Sequence, residues 1–441
     1  MMRIWRWSTM QLRYRYRLYP TPGQKQALAR AFGCARVVYN DTVAARRAAH
    51  ANGDKYPSGT VLQKRLITDA KKTNERAWLT DAAAQMLQQA IRDCDQAYKN
   101  FFDSLKGRRG GRRMGAPRFK SRKDARQAIR FTRGAFSAVT DGKLTLAKIG
   151  DIKVAWSRDL PSVPSSCTVI KTADERFFAS FVVEVGDETL EPVDAETGID
   201  LGLSAFAVDD QGRIIDNPRF LRRAERKLKR LQRAVSRKQK GSNNRNKARK
   251  KLARQHAKVR DTRLDWLHKT TTTLIRENQA VYVEDLAVSG LARTRLAKSV
   301  HDASWGTFRR LLEEKAARYG RDLVVIDRWL PTSQTCFACG RIDGPKPLSV
   351  RTWSCSCGTH HDRDQNAARN ILAAGRAERL NACGGDVRPR TGAVAAEAGT
   401  PEAPHKRSRN LPSRQERTSK QRTIAGRRVV SGAVVVLGCG R

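Results

Sequence analysis

The chain has 441 residues, of which 39% are hydrophobic, so it can bury about two to four folded cores rather than one. Its 87 lysines and arginines exceed its 43 aspartates and glutamates, and a net charge of +44 spread over several folded-looking segments predicts a nucleic-acid partner rather than a single basic tail. No apolar stretch is long enough to cross a bilayer and the first residues lack a hydrophobic signal core, so we predict an intracellular protein with no membrane partner.

The first predicted element is a strand over residues 11–19, where apolar and basic side chains alternate. Its basic face carries three candidate nucleic-acid contacts: Arg13, Arg15 and Arg17. Helices are predicted over 23–50 and from about Thr80 onward. On the second helix, Gln85 and Gln88 lie opposite an apolar stripe and could read base edges, although glutamine is also an ordinary solvent-facing helix residue.

A glycine- and arginine-rich segment follows over residues 106–133 and is predicted to grip phosphates, because glycine leaves the backbone bare and arginine supplies charge. Its candidate contacts are Arg112, Arg113, Arg118 and Lys120. Short alternating segments come next, separated by turn residues: 143–146, 152–156, 167–171 and 177–185. Together with the first strand they predict a small β-barrel.

Three acids in the second half of the chain lie in or beside predicted apolar elements. Asp200 interrupts the first strand of a predicted hairpin at 197–216, Glu284 ends a second apolar run, and Asp364 precedes a predicted helix at 366–374. A buried carboxylate must be neutralised, paired or metal-bound, and the order strand, hairpin, helix, strand, helix predicts a ribonuclease-H-like fold. Three such carboxylates suit two Mg²⁺ or Mn²⁺ ions that activate water for phosphodiester hydrolysis.

The alternative for each acid alone is a salt bridge with one of the many nearby cations. Three neighbouring acids could also be mistaken for ligands: Asp285, Asp327 and Asp362.

Two close cysteine pairs predict a structural zinc site. The pairs are Cys336 with Cys339 and Cys355 with Cys357, and fifteen residues separate them. Thiolates in close pairs suit tetrahedral coordination, and a reducing compartment argues against disulfides. The second pair is C-x-C, which needs a tighter loop, so His360 and His361 are alternative ligands, and free thiols in a loop are the competing interpretation.

From residue 377 to 441 the chain is rich in Gly, Ala, Pro, Arg and Ser without a sustained period, which predicts a disordered basic tail. An apolar patch at 429–440 is too short to span a membrane, and we predict no role for it.

These motifs together resemble the TnpB family, transposon-encoded RNA-guided DNA endonucleases related to type V CRISPR effectors. The resemblance runs from about Met10 to Ala382. Its sharpest segments are GIDLGL around Asp200, VEDL around Glu284, SWGTFRRLLEEKAARYG at 304–320, TCFACG at 335–340 and HDRDQNAARNIL at 361–372. In the last segment the family's catalytic acid corresponds to Asp364 and not to Asp362.

The resemblance implies a multidomain α+β architecture with a ribonuclease-H-like (RuvC) α/β nuclease core. It divides the chain into a wedge β-barrel (10–20 and 115–190), a helical recognition insert (21–114), a split RuvC nuclease (195–335 and 358–376) with basic helices at 219–278, a zinc-ribbon-like insert that binds target nucleic acid (336–357) and the tail. The basic helices would grip the backbone of a guide–target heteroduplex through Arg222, Arg226, Arg230 and Arg233.

The implied partners are a transposon-derived guide RNA and double-stranded target DNA with a short adjacent motif, in the bacterial cytoplasm or nucleoid. Whether the same element encodes a partner transposase is left open. Three rival functions are also left open. A transposase acting directly on DNA would join strands without RNA. A guided repressor would lack triad acids, and a plain RNA-binding protein would leave the buried carboxylates unexplained.

Overall fold

The first half of the chain forms one antiparallel sheet, nearly closed into a barrel, in the computed structural model, which describes residues 10–138, 142–186, 188–347, 349–382 and 435–437. The strands are β1 (Met10–Tyr19), β2 (Gln127–Thr132), β3 (Phe136–Ala138), β4 (Lys143–Leu146), β5 (Gly150–Ala155), β6 (Ser166–Lys171) and β7 (Phe177–Val185). Their order is β2–β6–β7–β1–β5–β4–β3. The predicted barrel completed by the first strand is therefore confirmed, while β2 is a strand inside the segment predicted to grip phosphates.

The alternation in β1 sets its two faces. Leu12, Tyr14, Tyr16 and Leu18 are buried in the core, and the arginines between them are half-buried on the outer face. β1 pairs with β7 along nearly its whole length. A short strand within the predicted tail, Val435–Leu437, pairs in parallel with the other edge of β1.

A helical insert separates β1 from β2 and shares its apolar core with the barrel. It contains α1 (Pro22–Ala51), α2 (Gly59–Gln63) and α3 (Ala84–Leu105), with single helical turns at 64–72 and 77–81. A capping box at Thr21 and Gln24 begins α1. The second predicted helix begins at Ala84 rather than near Thr80, because residues 77–81 form a separate turn that ends in extended backbone.

The second half contains a five-stranded mixed sheet in the order β10–β9–β8–β11–β12. The strands are β8 (Glu196–Leu201), β9 (Ala205–Asp209), β10 (Ile214–Asp216), β11 (Ala280–Glu284) and β12 (Asp322–Ile326). β8, β9 and β10 are antiparallel, whereas β11 and β12 run parallel to β8. The predicted order of strand, hairpin, helix, strand and helix is confirmed.

The helices of this half are α4 (Phe220–Ser236), α5 (Asn243–Glu277), α6 (Val288–Leu291), α7 (Ala297–Ala303), α8 (Trp305–Tyr319) and α9 (Arg363–Ala382). α5, α8 and α9 pack on the sheet, whereas α4 packs on α5 and α7. A two-stranded hairpin of β13 (Thr352–Ser354) and β14 (His360–Asp362) precedes α9. None of the helices in the described ranges is long and apolar enough to span a membrane.

Two predicted domain limits divide continuous elements. The limit at 357/358 falls in the turn of the β13–β14 hairpin, and the limit at 376/377 falls inside α9, which continues to Ala382. The prediction of a disordered tail is therefore wrong for residues 377–382, which continue α9 and pair with the sheet, as Arg379 does with Glu196. It is also wrong for residues 435–437, which form a strand on β1. Residues 383–434 and 438–441 of that tail lie outside the described residues.

Two glycines let α9 lie directly on the sheet. A Cβ atom added at Gly198 in β8 would lie 2.7 Å from the backbone nitrogen of Leu372, and one added at Gly375 in α9 would lie 2.9 Å from the Cγ atom of Tyr282. The lack of a side chain at both positions thus allows the close packing of the helix.

Candidate functional site

Asp200 and Glu284 lie side by side at one end of the mixed sheet. β8 and β11 are parallel neighbours whose register pairs Ile199 with Val283. One residue further along each strand, Asp200 stands beside Glu284, since adjacent strands are about 4.8 Å apart and side chains at matching register share a face. Both carboxylates are half-buried.

Helix α9 brings Asp364 to the same end of the sheet because it runs antiparallel to β8. A salt bridge of 2.6 Å joins Arg376, late in the helix, to Glu196 at the start of the strand. Further along the strand, Gly198 packs against the helix one turn after Asp364. Towards the C-terminal end of β8 and the N-terminal end of α9, Asp364 in the first helical turn therefore comes close to Asp200. The structure thus brings the three predicted acids together, and their catalytic role stays a prediction.

The electrostatics of Asp200 reflect this clustering. Burial raises the pKa of Asp200 to about 7, with further upward contributions from the negative charges of Asp364 and Glu284. Burial, and then the charge of Asp285, also raises the pKa of Glu284. A cluster of this kind holds its full negative charge at neutral pH only when a cation offsets the repulsion.

One arginine that the sequence analysis missed contacts the cluster. Arg351, just before β13, reaches Asp364 with Nη1–O distances of 3.1 and 3.3 Å, and its other terminal nitrogen donates to Ser204 Oγ at 2.7 Å. No local pattern singles out this arginine among 87 basic residues. It links the hairpin that follows the first cysteine pair to the carboxylates.

The three acids that could have been mistaken for ligands have other partners. Asp285 pairs with Arg309 and Arg328. Asp327 accepts the backbone N–H of Trp329 at 3.0 Å. Two hydrogen bonds show that Asp362 caps α9, because its Oδ1 accepts the N–H groups of residues 364 and 365 at 3.0 and 2.9 Å. Each of the three acids thus has a partner of its own outside the cluster.

The four predicted cysteines converge on one point. The Sγ atoms of Cys336, Cys339, Cys355 and Cys357 lie within 4.8 Å of one another. Two of the S–S separations are 3.7 Å, close to the ~3.8 Å edge of a tetrahedron with metal–sulfur bonds of about 2.3 Å. The donor set and its spacing therefore fit Zn²⁺. Within the described ranges no other His, Cys, Asp or Glu group is as tight, so the carboxylates are spaced more widely.

The two alternative histidine ligands lie outside the sulfur cluster. The buried His361 places Nε2 3.1 Å from the Sγ atom of Cys336, as a residue supporting a ligand would. His360 instead contacts Ser354 Oγ at 2.6 Å.

Two asparagines that sequence reasoning missed join this cluster to α9. Asn366 is buried, donates to the carbonyl of Thr335 at 2.8 Å and accepts the N–H of Phe337 at 3.0 Å. Asn370 donates to the same carbonyl at 2.7 Å. Asparagine is a poor helix former, so two of them four residues apart in a helix were an available signal.

The predicted nucleic-acid contacts differ in their surroundings. The Arg15 guanidinium lies 3.8 Å from the centroid of the Phe178 ring, and burial, followed by the charge of Arg260, lowers the pKa of Arg15 to about 10. Among the predicted nucleic-acid contacts, the half-buried side chains are Arg13, Arg15, Arg17, Gln85 and Gln88. The exposed ones are Arg112, Arg113, Arg118, Lys120, Arg222, Arg226, Arg230 and Arg233. Exposure leaves this second group available to a polyanion.

Three protein-family models match the chain. One described as a probable transposase (OrfB of IS605) covers residues 180–295, a Cas12f1-like TNB domain covers 305–371 and a helix-turn-helix domain covers 10–55. In the structure, residues 10–55 form β1 and the single long helix α1 rather than two helices.

One solved structure and two curated relatives align with most of the chain. A solved Cas12f1–sgRNA–target DNA complex aligns with a TM-score of 0.48 at 14% identity, covering 78% of this chain and 82% of that chain. A protein of Streptomyces pristinaespiralis, provisionally named an RNA-guided DNA endonuclease, is 43% identical over 383 residues, covering 85% of this chain and 92% of the relative. InsQ of Escherichia coli K12, with the same provisional name, is 31% identical over 390 residues, covering 84% and 93%. On the strength of these two relatives and the family models, the chain belongs to the TnpB family.

Proposed function

We propose that this chain is an RNA-guided double-stranded DNA endonuclease of an insertion sequence, which hydrolyses phosphodiesters at a site formed by Asp200, Glu284 and Asp364. The observation that carries the proposal is the meeting of these three carboxylates at one end of a single sheet. A net charge of +44 supports a nucleic-acid substrate. RNA guidance is supported by the names of two relatives that this chain covers almost completely.

The strand pairing supports a ribonuclease-H-like (RuvC) core. An antiparallel meander of three strands is followed by two strands parallel to the first, with helices on the connections. Acids on the first strand, the fourth strand and the last helix would then form the active site of this core.

The donor set fits Mg²⁺ or Mn²⁺, because all three candidate ligands are carboxylates. When bound, such ions would supply a water of lowered pKa and charge stabilisation at the leaving oxygen. The protein's own part is to hold the three acids in position. Asp200 has the most unfavourable environment for its charge, so its proton is the one that ion binding must displace.

The zinc site would be structural, and its surroundings give it a role in positioning. The hairpin that carries the second cysteine pair follows Arg351, which contacts Asp364. The first pair is joined to α9 through Asn366. Zinc would therefore hold one catalytic carboxylate in place from two sides without touching substrate.

The remaining basic residues would hold nucleic acid through its backbone. The exposed arginines of α4 lie on a long helix that packs on α5 through Leu228, and they suit phosphate contacts along a duplex. The partners would be a transposon-derived guide RNA and target DNA with a short adjacent motif, in the bacterial cytoplasm or nucleoid. A partner transposase from the same element is a further expectation.

The test is to purify the protein with its RNA from cells that carry the native locus, and to incubate it with a motif-library plasmid matched to that RNA. Cleavage that requires the matching RNA and Mg²⁺, and stops in EDTA or with a scrambled RNA, is the expected result. Tight RNA-dependent binding without cutting would favour a guided repressor. Cutting or joining that is indifferent to RNA would favour a transposase acting directly on DNA.

A further inference from the structure

An open recess of about 390 Å³ lies on the helical insert, between α1, the segment after it and α3. Tyr98 and Phe102 stack in its wall with ring centroids 6.1 Å apart and an interplanar angle of 29°. Tyr56 meets both rings edge-on, at 5.9 and 6.4 Å. Tyr56 and Phe102 are 44% and 40% exposed, so the recess presents aromatic surface to solvent. Its volume lies within the range of small-ligand sites.

A buried arginine also lines the recess. Arg46 is 3% exposed, and its guanidinium lies 4.7 Å from the Tyr56 ring centroid and 5.4 Å from that of Tyr98. Its Nη2 pairs with Asp95. Its Nε and Nη1 atoms have no hydrogen-bond partner among the residues that the structure describes. The guanidinium thus places a buried positive charge behind the aromatic wall of the recess.

The glycine–arginine segment returns to the rim of this recess. After α3 ends, the N–H of Arg108 donates to the carbonyl of Asp103 at 2.9 Å, and the N–H of Met114 donates to Ser104 Oγ at 2.9 Å. Four exposed arginines lie between these two attachment points or at their edge: Arg108, Arg109, Arg112 and Arg113. Phosphate-binding cations thus stand beside an aromatic site, a combination typical of single-strand binding.

We propose that the recess binds one unstacked nucleobase of a single-stranded nucleic acid while the adjoining arginines hold its flanking phosphates. The recess suits an uncharged base better than a phosphate, because the carboxylates of Asp95 and Asp103 balance the positive charges of Arg46 and Lys99 that also line it. A base can stack on the exposed rings of Tyr56 and Phe102. The inference rests on the proposed function in that it supposes a nucleic-acid partner, but it does not depend on cutting.

The test measures binding of labelled single-stranded RNA and DNA oligomers to the full chain by fluorescence anisotropy, at several salt concentrations. The variants are Tyr56→Ala, Phe102→Ala and their combination. The matched control is Trp78→Ala, since Trp78 is also 40% exposed on the insert but does not line the recess. Circular dichroism and melting temperature confirm that each variant is folded.

Loss of one stacked base should weaken binding about 5- to 150-fold. The slope of log affinity against log salt should stay unchanged, because no charge is removed, whereas Arg112→Ala with Arg113→Ala should reduce that slope by about 1.4. The fluorescence of a 2-aminopurine placed in the bound strand should be quenched when the strand binds the unmodified protein or Trp78→Ala, but not when it binds Phe102→Ala. A loss confined to RNA or to DNA supports the proposal and identifies the strand.

Parental affinity in the aromatic variants, or an equal loss in Trp78→Ala, would overturn the proposal. Failure of the proposed nuclease function is a separate result, since it would appear as absent guided cleavage while the aromatic variants still lost base binding.

Discussion

Replacing Asp200 with asparagine should make the metal-free protein more stable while it abolishes cutting. Burial and the nearby charges of Asp364 and Glu284 raise the pKa of Asp200 to about 7, against an ordinary value of about 3.9 for an unfolded aspartate. Three pKa units correspond to ~4 kcal/mol at 1.36 kcal/mol per unit. Because Asp200 is only half-buried and water screens part of the repulsion, we expect a gain of about 2–4 kcal/mol in the free energy of unfolding.

The gain should depend on pH in a defined direction. Below about pH 4 the carboxyl is protonated in both the folded and the unfolded state, so it costs no stability. As pH rises from about 4 to 7 the unfolded chain releases this proton while the folded chain retains it, and the folded state loses stability relative to the variant. Above pH 7 the difference is constant, because both states are ionised.

The assay is denaturant unfolding of both proteins in EDTA at pH 5 and pH 8, with Asp216→Asn as the matched control, since Asp216 is an exposed acid on β10 of the same sheet. Adding Mg²⁺ should stabilise the parent and leave Asp200→Asn nearly unchanged, because only the parent carries the full ligand set. Equal unfolding free energies at pH 8, or a gain that is the same at pH 5 and pH 8, would refute the clustered-carboxylate explanation.

Three further changes test other parts of the site. Gly198→Ala should lower the free energy of unfolding by about 2 kcal/mol or more, because its Cβ would clash with the backbone of α9. Gly306→Ala is the control and should be neutral, because the space around Gly306 is open. The melting temperatures of the two variants test this difference. Cys336→Ser should abolish stoichiometric zinc, measured by atomic emission on the purified chain, and lower the melting temperature; full zinc content in the variant would contradict the site. Arg351→Ala should weaken Mn²⁺ binding in calorimetry by up to about fivefold, because Asp364 loses a contact that positions it, and tighter binding would show that the guanidinium competes with the ion instead.

Much of the core could be predicted because local pattern determines it. The alternation of apolar and basic residues in β1 predicts which face of the strand is buried. The apolar runs around Asp200 and Glu284 predict strands that are buried on both faces. The short spacing within each cysteine pair predicts that its two thiols point to one site. The β13–β14 hairpin then brings the second pair to the first. These features depend on residues a few positions apart.

The parts that could not be predicted depend on distant contacts. Periodicity shows which side of a helix is buried but not what packs on it, so the pairing of Arg351 with Asp364 and of Asn366 with the first cysteine loop was invisible. β2 was missed because glycine and arginine dominate the segment before it, although its pairing with β6 satisfies its backbone. The recess of the insert likewise forms only when α3 packs beside the segment after α1.

The measurement that tests the central claim most directly is guided cleavage by single-charge variants of the same purified RNA complex. Asp200→Asn, Glu284→Gln and Asp364→Asn should each bind the guide RNA and the matched DNA as the parent does, and each should reduce the cleavage rate by at least about a thousandfold. Asp216→Asn should cut at the parental rate. Parental cutting by any of the three carboxylate variants would contradict the assignment of these acids as one active site.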